Sequence, residues 1–233
     1  MRLDVELVRR GLARSRNQAS ELIRSGGVLC DGNVVTRPAQ RVSERTQIEA
    51  TLDEYVSRGA HKLMGALEDS DTAVPDRCLD AGASTGGFTQ VLLSRGASRV
   101  YAVDVGHDQL AEALRTDPRV VNLEGQNLRS LTIAHVETDP VDLAVADVSF
   151  ISLKLILGPI LSVLSPSGIA LVLVKPQFEV GRERLGSHGV VRDPALQEEA
   201  VESVLGAAAE LGWACVWQGV SQLPGPNGNL EFF

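Results

Sequence analysis

The 233 residues predict a doubly wound α/β domain with a mostly parallel sheet, preceded by a small α+β module. Three observations carry this. From Arg77 onward, short apolar strands alternate with helical stretches, the pattern of βαβ units. Within it, Cys78–Phe88 (CLDAGASTGGF) leaves a strand through a turn of small residues and opens a helix, which lets backbone N–H groups approach a ligand closely. Charge is also unevenly divided: residues 1–63 hold 11 basic and 8 acidic side chains, residues 64–233 hold 11 and 22, and the net charge is −8. A basic segment on an acidic body points to a binding module joined to a separate domain.

Composition narrows the class further. Hydrophobic residues make up 44% and aromatics only 4%, which suits a core of Val, Leu, Ile and Ala. The length allows one good core plus a small appendage. Cys30, Cys78 and Cys215 are odd in number and widely spaced, so they form neither a disulfide framework nor a zinc site. Cys78 and Cys215 lie in apolar runs and are expected to be buried. The longest apolar stretch, Phe150–Leu164, is broken by Lys154, Gly158 and Pro159 and is too short to span a bilayer. No signal peptide precedes the first charged residues. The expectation is a cytoplasmic protein without a membrane span or a metal.

In chain order, Leu3, Val5, Leu7, Val8 and Leu12 mark a short helix ended by Gly11. Ser15 caps a second helix with Ala19, Leu22 and Ile23 on one face, stopped by Gly26-Gly27. Val28–Cys30, the turn Asp31-Gly32-Asn33, and Val34-Val35 read as a hairpin. After a linker, Leu63, Met64, Ala66 and Leu67 give a helix covering the first strand of the sheet. From spacing alone, Lys62 reads as part of that helix's solvated start, and His61 as structural. Strands follow at Arg77–Leu79 (closed by Asp80), Val100–Asp104, Val120–Leu123, Val141–Val145 and Ile169–Val174, the last apolar enough to be buried. Asp193-Pro194 opens a long helix, Ala195–Leu211, with Val204, Leu205, Ala208 and Leu211 on its apolar face. Trp213–Val220 is a sixth strand, and Leu230–Phe233 begins a seventh.

The small-residue turn has its own chemistry. It lacks the Lys-Ser/Thr pair of a nucleoside triphosphate loop, and Gly82, Gly86 and Gly87 do not make the G-x-G-x-x-G spacing of a pyrophosphate site. Asp80 lies at the carboxyl end of the strand, where open α/β sheets bind ligands. An acid there repels phosphate and favours a ligand carrying ammonium or sulfonium charge. The stretch resembles the first motif of S-adenosylmethionine-dependent methyltransferases; the alternative is a tight strand–helix turn with no ligand. Asp104, 24 residues further on, is placed like the carboxylates that bind ribose hydroxyls. The resemblance implies S-adenosylmethionine held by Asp80, Gly82, Ala83, Ser84, Thr85, Gly86, Gly87, Phe88, Asp104, Val105, Asn127 and Asp147, with Asn127 near the adenine edge.

Residues 2–50, in the order RLD…LV..G…SR..A…I..G.V…G..V..P, resemble the S-four RNA-binding module. That resemblance implies folded RNA as partner, with Arg2, Arg14, Arg16, Arg37 and, in the following segment, Arg58 as contacts. A small helical domain with merely solvated arginines is the alternative. No aromatic residue lies in the module, so stacking on single strands is not expected.

The methyl acceptor is narrowed by the fourth strand. It runs into Asp147-Val148-Ser149-Phe150, not the D/N-P-P-Y segment of enzymes acting on base amines, and no cysteine nucleophile lies near it. Together VSRGAHK, CLDAGASTGGF, ADVSF, LVKPQFEVG and PGPNGN-EFF resemble the TlyA family, also known as haemolysins, from Arg2 to Phe233. The resemblance implies a Rossmann-like class I methyltransferase domain with a seven-stranded, mostly parallel sheet over residues 59–233, an S-four domain over 1–52 and a linker over 53–58. It implies 2′-O-methylation of cytidine ribose in ribosomal RNA, with Lys62, Asp147, Lys175 and Glu231 as a catalytic tetrad and ribosomal subunits as partners. It also implies that the chain continues past Phe233. A membrane-lytic haemolysin and an RNA-binding protein with a non-catalytic fold are the rival readings.

Overall fold

The computed structural model describes residues 1–13, 15–24, 26–50, 54–186, 189–225 and 228–233. The chain divides into two compact units, Met1–Glu54 and Tyr55–Phe233. In the first, helices α1 (Leu3–Arg9) and α2 (Arg16–Arg24) pack over a three-stranded sheet of β1 (Val28–Cys30), β2 (Asn33–Val34) and β3 (Ile48–Ala50). Leu3, Leu7, Ala19, Ile23 and Val28 are fully buried between these elements. The hairpin turns through Asp31 and Gly32, both at positive φ, as a two-residue loop between twisted strands requires. β3, with only three half-polar residues, has no periodicity long enough to be read from sequence.

In the second unit five parallel strands make one sheet: β4 (Arg77–Ala81), β5 (Arg99–Asp104), β6 (Val120–Glu124), β7 (Val141–Ala146) and β8 (Leu164–Val172). Their order is β6-β5-β4-β7-β8. The chain moves outward from β4 to β6, then returns to the other side of β4 as β7. The switch point where ligands bind therefore lies between the carboxyl ends of β4 and β7. Alternation along the strands covers both faces. Cys78, Val100, Ala102, Leu143 and Val145 pack against α3 (Gly59–Asp69) and α4 (Gly87–Ser94). Leu79, Tyr101, Val103 and Ala144 pack against α6 (Leu157–Leu161) and α8 (Pro194–Glu210), which follow the short helix α5 (Glu112–Arg115) and, for α8, α7 (Pro176–Glu179). Asp193 caps α8 through the Ala195 N–H at 3.0 Å, with Pro194 at the first helical position. Among the described residues, no helix is long and apolar enough to cross a membrane.

Among the described residues, the expected seven strands of the sheet reduce to five plus isolated bridges. Phe232 bridges antiparallel to both Val174 and Val220, and Gly219 and Phe233 exchange two backbone hydrogen bonds of 3.1 and 2.9 Å. The segment expected as the sixth strand stays irregular up to Gly219, with Val216 89% exposed, because among the described residues no strand pairs with its backbone before Gly219. Cys215 is exposed rather than buried for the same reason, and Leu211 lies half in solvent. The fifth strand is the edge of the parallel sheet; Ile169 is 40% exposed there, so its apolar run does not signify full burial.

Gly82 is where the turn meets the sheet. It sits at φ +88°, and a Cβ there would lie 2.7 Å from the Asp147 carbonyl oxygen. Gly82→Ala should therefore lower stability by about 1–3 kcal/mol, read as a lowered midpoint of thermal or urea unfolding. An unchanged midpoint would refute the close packing of β4 and β7 at this point.

Candidate functional site

The site begins with one buried carboxylate. Asp80, near the end of β4, is fully buried, and its Oδ2 accepts the Thr89 N–H (2.8 Å) and hydroxyl (2.6 Å) in the first turn of α4. The strand-end acid thus holds the helix start in place. Its Oδ1 is buried with no hydrogen-bond partner. Burial pushes the Asp80 carboxyl up to about 7, against the Thr89 hydrogen bonds that lower it, and nearby Asp147 and Asp104 push it further. Between strand and helix, Gly86 at φ +96° abuts the Leu114 side chain, and Ser84 adopts a positive φ that turns its N–H outward.

That N–H finds Asp104. At the end of β5, Asp104 Oδ2 accepts Ser84 N–H at 2.8 Å and Oδ1 accepts Gly106 N–H at 2.7 Å. Sequence reasoning missed the neighbouring Glu124. At the end of β6, one of its oxygens accepts the Gln109 and Leu110 N–H groups at 2.9 and 3.1 Å, which holds its carboxyl down at about 2. It ties the loop after β5 to the next strand. Val105 is 69% exposed, and Asn127 caps the 3₁₀ turn Leu128–Ser130 through the Arg129 N–H.

At the other side of the switch point lie two ion pairs. Lys175, just past β8, is 8% exposed; its Nζ is 2.5 Å from Asp147 Oδ1 and 3.0 Å from Ser149 Oγ. Lys62, one turn into α3, is 7% exposed and its Nζ is 2.5 Å from Glu231 Oε2. Lys62 is therefore no solvated helix start: α3 lies flat on the sheet and carries it inward. The pairs meet through the backbone. Val174 and Phe232 bridge antiparallel, with hydrogen bonds of 2.6 and 3.0 Å, so Lys175 and Glu231 are the next residues to face each other. A Cβ on Gly59, at the start of α3, would lie 3.6 Å from Asp147 Oδ2. The four residues thus come from four segments to one sheet edge.

The basic residues of the first unit divide differently from their expected uniform role. Arg2 holds Asp4 through two hydrogen bonds of 3.0 and 2.9 Å, and Arg16 reaches the same carboxylate at 3.4 Å. Arg37 is exposed and has no ion pair among the described residues. Arg58, in the second unit, is exposed and donates to the Pro224 carbonyl at 3.3 Å. Arg14 lies outside the described residues, as do Thr51 and Leu52 of the expected S-four domain and Asp53 of the expected linker.

Comparison with known proteins fits this geometry. An FtsJ-like methyltransferase family model matches residues 55–233, and an S4 domain model, the S-four module, matches residues 1–48. A protein of Mycobacterium tuberculosis named 16S/23S rRNA (cytidine-2′-O)-methyltransferase TlyA is 54% identical over 236 residues, covering 100% of this chain and 88% of the relative. The chain belongs to the TlyA family of FtsJ-like methyltransferases. A relative named Hemolysin A, from Brachyspira hyodysenteriae, is 37% identical, covering 100% of this chain and 98% of its own. A solved structure from Streptococcus thermophilus, also named as a hemolysin, superimposes with a TM-score of 0.79 at 39% identity, covering 100% of this chain and 86% of that one.

The Lys62–Glu231 pair sits where water cannot replace a lost partner. Glu231→Ala should destabilise the fold by about 3–5 kcal/mol, as an uncompensated buried ammonium does. Lys62→Met combined with Glu231→Leu should recover most of that loss. Denaturant midpoints of the single and double variants test this; a double variant no better than the single would refute it.

Proposed function

We propose that this chain methylates the ribose 2′-hydroxyl of a cytidine in ribosomal RNA, using S-adenosylmethionine. The observation that carries the reading is the pair of buried lysine–carboxylate contacts beside the Asp80 turn. It occurs in a chain 54% identical, along its whole length, to a protein named as an rRNA (cytidine-2′-O)-methyltransferase.

The residues present suit the cofactor. Asp80 Oδ1 is a buried acceptor without a donor, matching the need of an ammonium group. Asp104, fixed by two backbone N–H groups, takes the ribose hydroxyls, with the Gly82–Phe88 turn, Val105, Asn127 and Asp147 completing the surround. Bound there, S-adenosylmethionine supplies a methyl group activated by its sulfonium. Lys175 in its neutral form takes the proton of the target hydroxyl as the oxygen attacks, so no free alkoxide has to form. Asp147 holds Lys175, Glu231 holds Lys62, and Lys62 fixes the hydroxyl's position; orientation supplies much of the acceleration. Arg2, Arg14, Arg16, Arg37 and Arg58 are the proposed RNA contacts, working through phosphate charge.

Two measurements test the parts separately. The charged form of Asp80 is the one that binds a cation, and burial pushes its carboxyl up to about 7. Cofactor affinity, by calorimetry, should therefore rise from about pH 6 to about pH 7.5, and Asp80→Asn should weaken binding and remove that rise. A flat profile in the wild type would refute the ammonium assignment. For the chemistry, tritiated methyl transfer to ribosomal subunits with mapping of the product should place the label on ribose. Lys175→Ala should slow it roughly a hundredfold with cofactor affinity intact, and Lys175→Arg should not rescue, since a guanidinium stays protonated. Label on a base, or rescue by Arg, would overturn the mechanism.

A further inference from the structure

Ser149 is an exposed serine on the open side of the sheet edge, yet its Oγ lies 3.0 Å from the nearly buried Lys175 Nζ. It is not a loosely held surface group. The loop after β7 is clamped to α7 by Glu179, whose carboxylate accepts the Ser152 hydroxyl at 2.5 Å and the Leu153 N–H at 2.8 Å. Phe150, next to Ser149, is held at φ +64° with its ring 5.4 Å from that of Phe178 on α7. A bulky residue in the left-handed region persists only where its surroundings over-determine the backbone. The same clamp therefore fixes where Ser149 stands relative to Lys175.

The nitrogen's own geometry gives this contact a consequence. A neutral lysine amine has two N–H groups and one lone pair at the three free corners of its tetrahedron. Ser149 Oγ at 3.0 Å accepts from one corner, and it is the hydrogen-bond acceptor for this nitrogen among the described residues, since Asp147 Oδ1 at 2.5 Å is an ion-pair contact without hydrogen-bond geometry. We propose that Ser149 is a positioning residue for Lys175: it takes one N–H in a hydrogen bond, fixes the rotation of the amine beside the Asp147 carboxylate, and so leaves the lone pair directed at the target hydroxyl. Without Ser149, one N–H is unconstrained, the amine rotates about its Cε–Nζ bond, and the lone pair spends part of its time facing elsewhere. The inference rests on Lys175 being the base.

Methyl transfer to ribosomal subunits, with tritiated S-adenosylmethionine, tests it on the full chain. Ser149→Ala should lower kcat by about tenfold, the effect of one lost orienting hydrogen bond. KM for cofactor and RNA, and the unfolding midpoint, should stay at wild-type values. Ser149→Thr, which keeps the hydroxyl, should restore most of the rate. A wild-type kcat in Ser149→Ala, a loss expressed in KM alone, a lowered unfolding midpoint accompanying the loss, or no rescue by Thr would each overturn the positioning role while leaving Lys175 as base. A wild-type chain that transfers no methyl, or Lys175→Ala with undiminished rate, would instead remove the base assignment and this inference with it.

Discussion

Two lysines are held almost out of water at one edge of the sheet, and each needs a carboxylate there. A buried ammonium left alone costs several kcal/mol, more than most single packing contacts return. The requirement reaches across the chain. Asp147 must leave β7 in the right direction, α3 must lay its first turn against the sheet, and the terminal segment must come back to offer Glu231. The Val174–Phe232 bridge secures that return with two backbone hydrogen bonds. Gly225 is part of the arrangement, because a Cβ there would run into Glu231 Oε1.

The same edge is rich in carboxylates. Asp80, Asp104 and Asp147 stand at the ends of three neighbouring strands, and their mutual repulsion adds to burial in raising Asp80. A cationic ligand relieves that repulsion, whereas a phosphate would add to it. Ligand choice and proton handling therefore share one local field. The backbone amides around Asp104 and Glu124 fix those acids in place, so the field is set before any ligand arrives.

In the first unit, the count of basic residues overstates the charge available to a partner. Glu6 is held down at about 2 by Arg9 and Arg10, and Asp4 engages Arg2 and Arg16. The Asp4–Arg16 pair ties α1 to the start of α2, and Arg10 also reaches the backbone carbonyl of Thr46. Arg37, Arg41 and Arg45 are exposed on the segment between β2 and β3, without ion pairs among the described residues. Of these, Arg37 was the one expected from the sequence as an RNA contact, through the resemblance to the S-four module.

By itself the sequence determined the alternating α/β architecture, the separate basic module, the Asp80 turn and the strand-end Asp104. These are written in local order: apolar runs of strand length, small residues where the backbone turns sharply, an acid where a strand stops. It also supplied Lys62, Asp147, Lys175 and Glu231 through resemblance, although spacing alone placed Lys62 in solvent. Tertiary structure decided the rest. Whether Trp213–Val220 forms a strand depends on a partner backbone, and whether Cys215 is buried depends on that strand. Thr89 beneath Asp80, Ser149 beside Lys175, and Glu231 opposite Lys62 meet their partners across 9, 26 and 169 residues of chain. Such contacts leave no periodic trace in sequence, because they are fixed by which segments the folded sheet brings to its edge.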